Sequence, residues 1–185
     1  AILFNIPGRA VLSQHSFLIP VEKNNAETIN RISAEISRLE QPWQEGIKYL
    51  EALIAVSDCL VAHNASFDRM WFEKDPLPNV DKPWICSMED IPWPKELQLK
   101  PRPSVKDLAL AYEVPVWTAH RALTDCIYLA EVLRRCLDLE ILLEQGLEPK
   151  RLMRALVSYD ERHLAKKAGF RWNDPVQGAW TRRIS

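Results

Sequence analysis

The pattern of apolar and polar positions predicts a chain in which short strands alternate with amphipathic helices. Residues 2–4 are apolar, residues 7–8 are Pro-Gly, and residues 11–19 mix apolar and polar positions as a strand does. We therefore expect a β-hairpin at the start. Between residues 34 and 57, apolar side chains recur at helical spacing, with Pro42 near the start of the segment. This stretch predicts a single helix.

A short strand leading into a helix is expected next. Residues 59–62 are apolar and predict a buried strand, and the polar pair His63-Asn64 follows at once. A helix beginning just after Asn64 would turn Phe67, Met70 and Trp71 toward the core. The pattern thus predicts that polar side chains are delivered at the end of a strand.

The middle of the chain is predicted to be mostly loop, followed by helices. Residues 74–103 hold seven of the 13 prolines and contain one strand-like stretch at residues 84–86. Ser104 is placed to cap a helix over residues 105–112. A long helix is expected from residue 122 to residue 145, ended by Gly146.

The last part of the chain predicts a small unit of its own. Ser158 and Glu161 have the spacing of a capping box, Gly169 stands where a glycine ends a helix, and two short strands are expected over residues 170–172 and 179–183. From Lys150 onward, nine Lys and Arg face three Asp and Glu, while the whole chain has a net charge of −1. Such an asymmetry indicates contact with a polyanion.

Composition indicates a globular protein with a substantial core. Of 185 residues, 47% are hydrophobic and 26% are charged, and no apolar run approaches the roughly 18–20 residues of a membrane span. The four cysteines lie apart with no Cys-x-x-Cys pair, which argues against a zinc site. We expect reduced thiols and a cytoplasmic protein without membrane contact.

Two segments carry candidate chemistry: residues 63–68, His-Asn-Ala-Ser-Phe-Asp, and residues 120–125, His-Arg-Ala-Leu-Thr-Asp. Asp68 and Asp125 each fall in the first turns of a predicted helix, and His120 precedes the second helix on a loop. Carboxylates of this kind hold divalent cations, and an imidazole with a pKa near neutrality takes a proton from an attacking water. The pattern is typical of metal-assisted phosphodiester cleavage.

In this order, the two segments resemble the second and third motifs of the DEDD-type 3′–5′ exonucleases with a catalytic histidine, the family of the proofreading epsilon subunit of bacterial DNA polymerase III. Residues 28–33 and 104–109 also resemble segments of that family, although Asn30 and Arg31 replace its usual His-Gly. The resemblance covers roughly residues 1–145. We therefore expect two domains, an exonuclease domain over residues 1–147 and a basic extension over residues 148–185.

The resemblance implies an α/β protein of RNase H-like fold, with a mixed five-stranded sheet flanked by helices and a small basic α+β extension. It implies that Asp68 and Asp125 bind two Mg²⁺ or Mn²⁺ ions and that His120 is the general base. Asn64, Phe67 and His63 would lie on the substrate side. The substrate would be DNA or RNA with a single-stranded 3′ end.

One feature of the family is missing from its place. The family's first, central strand carries an Asp-x-Glu that binds metal, and no such motif precedes residue 63. We expect further residues upstream that include this strand, and residues 1–185 alone to be inactive. Glu22, Glu27 and Asp58 are expected to be solvated, and Glu89-Asp90 to be a polar loop pair.

Other functions remain open. The fold is also compatible with a non-catalytic nucleic-acid-binding module or with a module associated with a polymerase or another replication or repair protein. In the extension, five residues are candidates either for nucleic-acid contacts or for a small aromatic core with a basic rim. These are Arg171, Trp172, Trp180, Arg182 and Arg183.

Overall fold

A computed structural model describes residues 1–72, 74–117 and 121–184. Within them the chain is mixed α/β. The strands are β1 (Ile2–Asn5), β2 (Ala10–Gln14), β3 (Leu60–Ala62), β4 (Trp84–Cys86), β5 (Arg151–Ala155), β6 (Arg171–Trp172) and β7 (Trp180–Ile184). The helices are α1 (Glu27–Asn30), α2 (Ala34–Ser37), α3 (Trp43–Val56), α4 (Ala65–Phe72), α5 (Val105–Ala111), α6 (Ala122–Arg135), α7 (Leu139–Leu147) and α8 (Arg162–Lys167).

The predicted N-terminal hairpin is confirmed, with β1 antiparallel to β2. Its turn is fixed by Asn5, whose side-chain oxygen accepts a 2.7 Å hydrogen bond from the Gly8 N–H. The second strand ends at Gln14 rather than Ile19, because the chain then turns to pack on α3. There the ring of Phe17 lies so close that a Cβ on Gly46 would meet it at 2.7 Å. A glycine is thus required at position 46, because the Phe17 ring lies so close to the backbone of α3.

The segment predicted as one helix over residues 34–57 forms two, α2 and α3. Pro42 stands at the N-cap of α3. Since proline lacks an N–H and its ring clashes with the preceding turn, it begins a helix rather than continuing one. The longer helix, α3, buries Ile47, Leu50 and Leu53 against the rest of the domain.

Strands β3 and β4 form a parallel pair, and the Ser87 N–H extends their ladder with a 2.9 Å bond to the Ala62 carbonyl. Helix α4 begins just after Asn64, as predicted. The expectation that Phe67, Met70 and Trp71 face the core is wrong, because all three are exposed. Two strands of three residues offer little apolar surface, and α4 covers it with its buried Ala65 and with Phe72, whose ring stands edge-on to Trp84 of β4.

The long helix predicted over residues 122–145 is also divided, into α6 and α7. Cys136 leaves the helical conformation at the end of α6 and is buried there. Gly146 does not end a helix but lies inside α7. A Cβ at this position would meet Ile85 Cγ2 at 2.9 Å, so the glycine permits α7 to approach β4.

Two clusters of buried side chains form the core of residues 1–147. The first joins α6 and α7 to β4, and Phe4 of the hairpin and Val61 of β3 pack against it. The hairpin and the parallel pair are separate sheets among the described residues, yet both lie on this one cluster. The second cluster joins α5 to α6 through Leu108 and Val132.

The C-terminal unit, defined here as residues 151–184, is a three-stranded antiparallel sheet in the order β5-β7-β6 with α8. Ser158 and Glu161 exchange the hydrogen bonds of the predicted capping box. Gly169 has a φ of +82°, as a glycine after a helix should. Strand β5 was not expected from the sequence. Among the described residues, no helix has the length and hydropathy needed to cross a membrane.

Candidate functional site

The first candidate segment begins at the turn between β3 and α4. Asn64 has a φ of +70°, a left-handed conformation that asparagine tolerates better than most residues. Its carbonyl accepts a 2.8 Å bond from the Phe67 N–H, and its side-chain oxygen accepts one from the Ser66 hydroxyl. Asn64 therefore shapes the start of α4.

His63 is half-buried and joins the two parallel strands. Its Nδ1 shares a 3.0 Å hydrogen bond with the hydroxyl of buried Ser87, the residue after β4. Its Nε2 is buried and has no hydrogen-bond partner among the described residues. Burial lowers the pKa of His63, while the Pro103 carbonyl and Asp107 oppose that shift. A lowered pKa keeps this imidazole neutral at neutral pH.

Asp68 lies in the first turn of α4. Partial burial raises the pKa of its carboxyl group, and a backbone hydrogen bond only partly opposes this. Next to it, Phe67 is 54% exposed and stands edge-on to Trp71, with ring centroids 6.2 Å apart. An apolar ring held in solvent beside a desolvated carboxylate is compatible with the predicted substrate contact.

Asp125 lies in the first turn of α6, where its N–H donates a 2.9 Å bond to the Arg121 carbonyl. The next residue, Cys126, reports on both carboxylates. Burial raises the pKa of the Cys126 thiol, the positive charge of the Ala1 amino group opposes this, and the negative charges of Asp68 and Asp125 add to it. The two predicted carboxylates, which come from different helices, are therefore both near Cys126.

His120 lies outside the described residues, together with its neighbours at 118 and 119. Its role as general base stays a prediction. Trp117, the last described residue before that gap, is 67% exposed, and its ring stands edge-on to the buried Tyr128 ring. Its N–H donates a 2.9 Å bond to the Tyr128 hydroxyl, which fixes the position of Trp117 against α6.

The donor set fits a hard cation only in part. Carboxylate oxygens are the ligands that Mg²⁺ and Mn²⁺ prefer, and Asp68 and Asp125 supply them. Within residues 1–72, 74–117 and 121–184, however, no group of three or more His, Cys, Asp or Glu residues is placed to hold a metal. The pair alone supplies two carboxylates, and a complete site for such a cation would need further ligands.

The other carboxylates near the strands have structural surroundings. Glu22, Glu27 and Asp58 are exposed, as expected. Asp90 accepts a 2.7 Å bond from the Cys86 N–H and forms a 2.6 Å ion pair with Lys150, and Glu89 pairs with Arg102. Asp90 thus links the end of β4 to the start of the C-terminal unit.

The five candidate contact residues of the C-terminal unit divide between two cavities. Arg171, Trp172 and Trp180 line an open cleft of about 570 Å³ between this unit and residues 100–102. Arg182 and Arg183 line a neighbouring cavity of about 480 Å³ beside residues 88–95. The Trp172 and Trp180 rings are paired across β6 and β7, with centroids 5.7 Å apart.

The comparison with protein families matches this same part of the chain. Residues 151–185 match a family model described as a domain of unknown function, DUF8626. No curated protein and no solved structure matches the chain. The match spans about a fifth of the protein, and it contains β5, α8, β6 and β7. The predicted boundary at residue 148 stays a prediction.

Sequence reasoning missed three of the four cations in the open cleft, Lys100, Arg102 and Lys166. Lys100 belongs to the proline-rich loop and Lys166 to α8, and no local pattern connects them. It also missed Cys126, which lies among the candidate carboxylates. The one feature of the sequence that could have indicated Cys126 is its position directly after Asp125.

Proposed function

We propose that residues 1–147 are a DEDD-type exonuclease domain that removes nucleotides from the 3′ end of single-stranded DNA or RNA. The observation that carries this proposal is that Asp68 of α4 and Asp125 of α6 both lie near enough to Cys126 to raise the pKa of its thiol. The family resemblance requires both carboxylates at one site. Desolvation that raises the pKa of Asp68 is typical of a carboxylate suited to bind a cation.

The strand pairing supports an RNase H-like fold. The family's sheet has five strands with the Asp-x-Glu strand at its centre. This chain has an antiparallel pair and a parallel pair on one core cluster, as expected for the strands on either side of such a centre. Arg31, which replaces the family's glycine, has a φ of +56°, the conformation that glycine favours.

Each residue then has a role in hydrolysis. His120 takes a proton from the attacking water, whose oxygen bonds to the terminal phosphorus. The bond from phosphorus to the 3′ oxygen breaks, and that oxygen is protonated by solvent, which releases a nucleoside 5′-monophosphate. Asp68 and Asp125 would hold Mg²⁺ or Mn²⁺, which would supply charge stabilisation for phosphodiester hydrolysis. Asn64 and Phe67 position the terminal nucleotide.

The test uses the full-length natural protein and single strands of DNA and RNA labelled at the 5′ end. In Mg²⁺ or Mn²⁺ the labelled strand should shorten stepwise and release nucleoside 5′-monophosphates, and excess EDTA should stop it. His120→Ala and Asp68→Asn should each lower the rate at least about a hundredfold, because each removes a group needed in the transition state.

The matched control is Asp58→Asn, which changes an exposed carboxylate and should leave the rate unchanged. A single phosphorothioate at the 3′-terminal linkage should slow the reaction from that end. If His120→Ala releases nucleotides as fast as the natural protein, the assigned base is wrong. If labelled strands lose nucleotides from the 5′ end, the assigned direction is wrong.

One observation favours a second candidate function. Since no three-ligand metal group lies within the described residues, the domain also fits a non-catalytic nucleic-acid-binding module or one associated with a polymerase. That function predicts a different result from the same protein. Labelled single strands would bind with equal affinity in Mn²⁺ and in EDTA, and no nucleotide would be released in either.

A further inference from the structure

The open cleft between the proline-rich loop and the C-terminal unit has the form of a binding site. Lys100, Pro101 and Arg102 make one wall, and α8 with strands β6 and β7 makes the other. Its volume is about 570 Å³, within the range of small-ligand sites. The cleft therefore joins two parts of the chain that are far apart in sequence.

Aromatic rings form one side of this cleft. Trp172 is 52% exposed, and Trp180 lies partly buried behind it with an interplanar angle of 53°. Phe170 lines the same side. A large ring that is held in place by a second ring and still reaches solvent offers a surface on which a planar group can stack.

Positive charge dominates the lining. Lys100, Arg102, Lys166 and Arg171 face a single carboxylate, that of Asp174. The ion pairs of Lys100 with Asp107 and of Arg171 with Asp174 are solvent-exposed, so they contribute little and can be exchanged for other anions. Lys166 has no ion pair within the part of the chain that the structure describes.

Arg102 adds a charge that is removed from solvent. Its side chain is 20% exposed and pairs with Glu89. Its Nε and Nη1 atoms are buried and have no hydrogen-bond acceptor among the described residues. A desolvated cation with unsatisfied donors favours the approach of an anion.

We propose that this cleft binds a short single-stranded segment of nucleic acid. A base would stack on Trp172, and the flanking phosphates would pair with Lys100, Lys166 and Arg171. Cations interleaved with exposed aromatic rings are the combination by which proteins hold single strands. An acidic peptide would use the cations but not the rings, and a duplex keeps its base faces stacked on each other.

One wall of the cleft is next in the chain to a neighbour of the first candidate segment. The wall ends at Arg102, and the next residue, Pro103, has the carbonyl that acts on the pKa of His63. The inference nevertheless goes beyond the proposed function, because it concerns a second surface that binds without metal.

The experiment measures binding of fluorescein-labelled oligo-dT and oligo-U of about 12 nucleotides by anisotropy, in EDTA, with the full-length protein. Trp172→Ala should weaken binding about tenfold, since one stacked base is lost. Lys166→Gln should weaken it less, and it should reduce the slope of log affinity against log salt by about 0.7.

Two variants are matched controls. Tyr159→Ala removes an exposed ring from the same unit, and Lys23→Gln removes an exposed cation, both outside the cleft. Each should bind within about twofold of the natural protein. Trp172→Phe keeps a stacking ring and should recover most of the affinity, which separates a lost contact from a disturbed fold.

Three results would overturn the proposal. The first is no binding of either oligonucleotide at about 100 μM protein, well above the expected dissociation constant. The second is affinity within about twofold of the natural protein for both Trp172→Ala and Lys166→Gln. The third is equal affinity for an abasic strand or a duplex. Loss of nuclease activity in His120→Ala leaves this metal-free binding intact, so the two proposals fail separately.

Discussion

Residues 1–147 and the C-terminal unit are stabilised by different means. The first region has two clusters of buried side chains, built from segments far apart in sequence. In the second, the fully buried residues among the described side chains of 151–183 are Ala165, Ala179 and Thr181. The unit relies instead on a capping box, a left-handed glycine and the pairing of β5 with β7. Burial dominates in one region and local hydrogen bonds in the other.

The largest expected difference between the regions follows from removing one leucine in each. Leu108 is 0% exposed in the second core cluster, so Leu108→Ala should lower the free energy of unfolding by about 2–5 kcal/mol. Leu164 on α8 is 50% exposed, so Leu164→Ala should change the free energy of unfolding by less than about 0.5 kcal/mol. Urea unfolding followed by circular dichroism measures both. Equal losses would mean that the C-terminal unit has a core of its own.

The two capping boxes give a smaller and more local comparison. Ser104 caps α5 with Asp107 as its partner, and Ser104→Ala should lower global stability by about 1 kcal/mol, because α5 belongs to the core. Ser158→Ala removes the equivalent bonds at α8 and should leave the global unfolding midpoint unchanged while the amides of α8 exchange faster. Hydrogen exchange by mass spectrometry resolves the two effects.

Ser16→Ala, on an exposed loop, is the control for both caps. A fall in the global midpoint with Ser158→Ala as large as that with Ser104→Ala would show that the C-terminal unit unfolds together with the core.

This contrast explains which features the sequence predicts. The hairpin turn, the Ser104 cap, the Ser158 capping box and Gly169 are set by neighbours a few residues apart, and each was predicted correctly. Such features depend on local hydrogen bonds and backbone preferences, which can be predicted from a few neighbouring residues.

Two of the errors concern contacts between distant segments. Gly146 has the signature of a helix end, but its role is to admit Ile85 across the core. The apolar face of α4 has the signature of a buried helix, yet too little sheet lies beneath it. For the site, the sequence indicates Asp68 and Asp125 as candidates, but the effect of both charges on Cys126 depends on packing that no local pattern reports.

The smallest expected effects come from one carboxylate in each region. The pKa of Asp68 is raised and that of Glu161 is lowered, so the two regions should respond to pH with opposite signs. Burial raises the pKa of Asp68 above 3.8, so its charged form opposes folding and stability falls as pH rises through that raised value. Asp68→Asn should therefore raise the melting temperature by about 1–3 °C at neutral pH, a gain that disappears as the pH falls below 3.8. Hydrogen bonds from Ser158 lower the pKa of Glu161 below 4.5. Above that pH, Glu161→Gln should speed amide exchange in α8 without moving the global midpoint, and the effect should be lost as the pH falls through the lowered pKa of Glu161. Calorimetry across this range, with Asp58→Asn as the control, measures the Asp68 effect, and hydrogen exchange measures the Glu161 effect. A lower melting temperature for Asp68→Asn at neutral pH would mean that Asp68 stabilises the fold. A higher one would mean that Asp68 is kept at a cost to stability, as expected for a residue retained for function, such as a cation ligand.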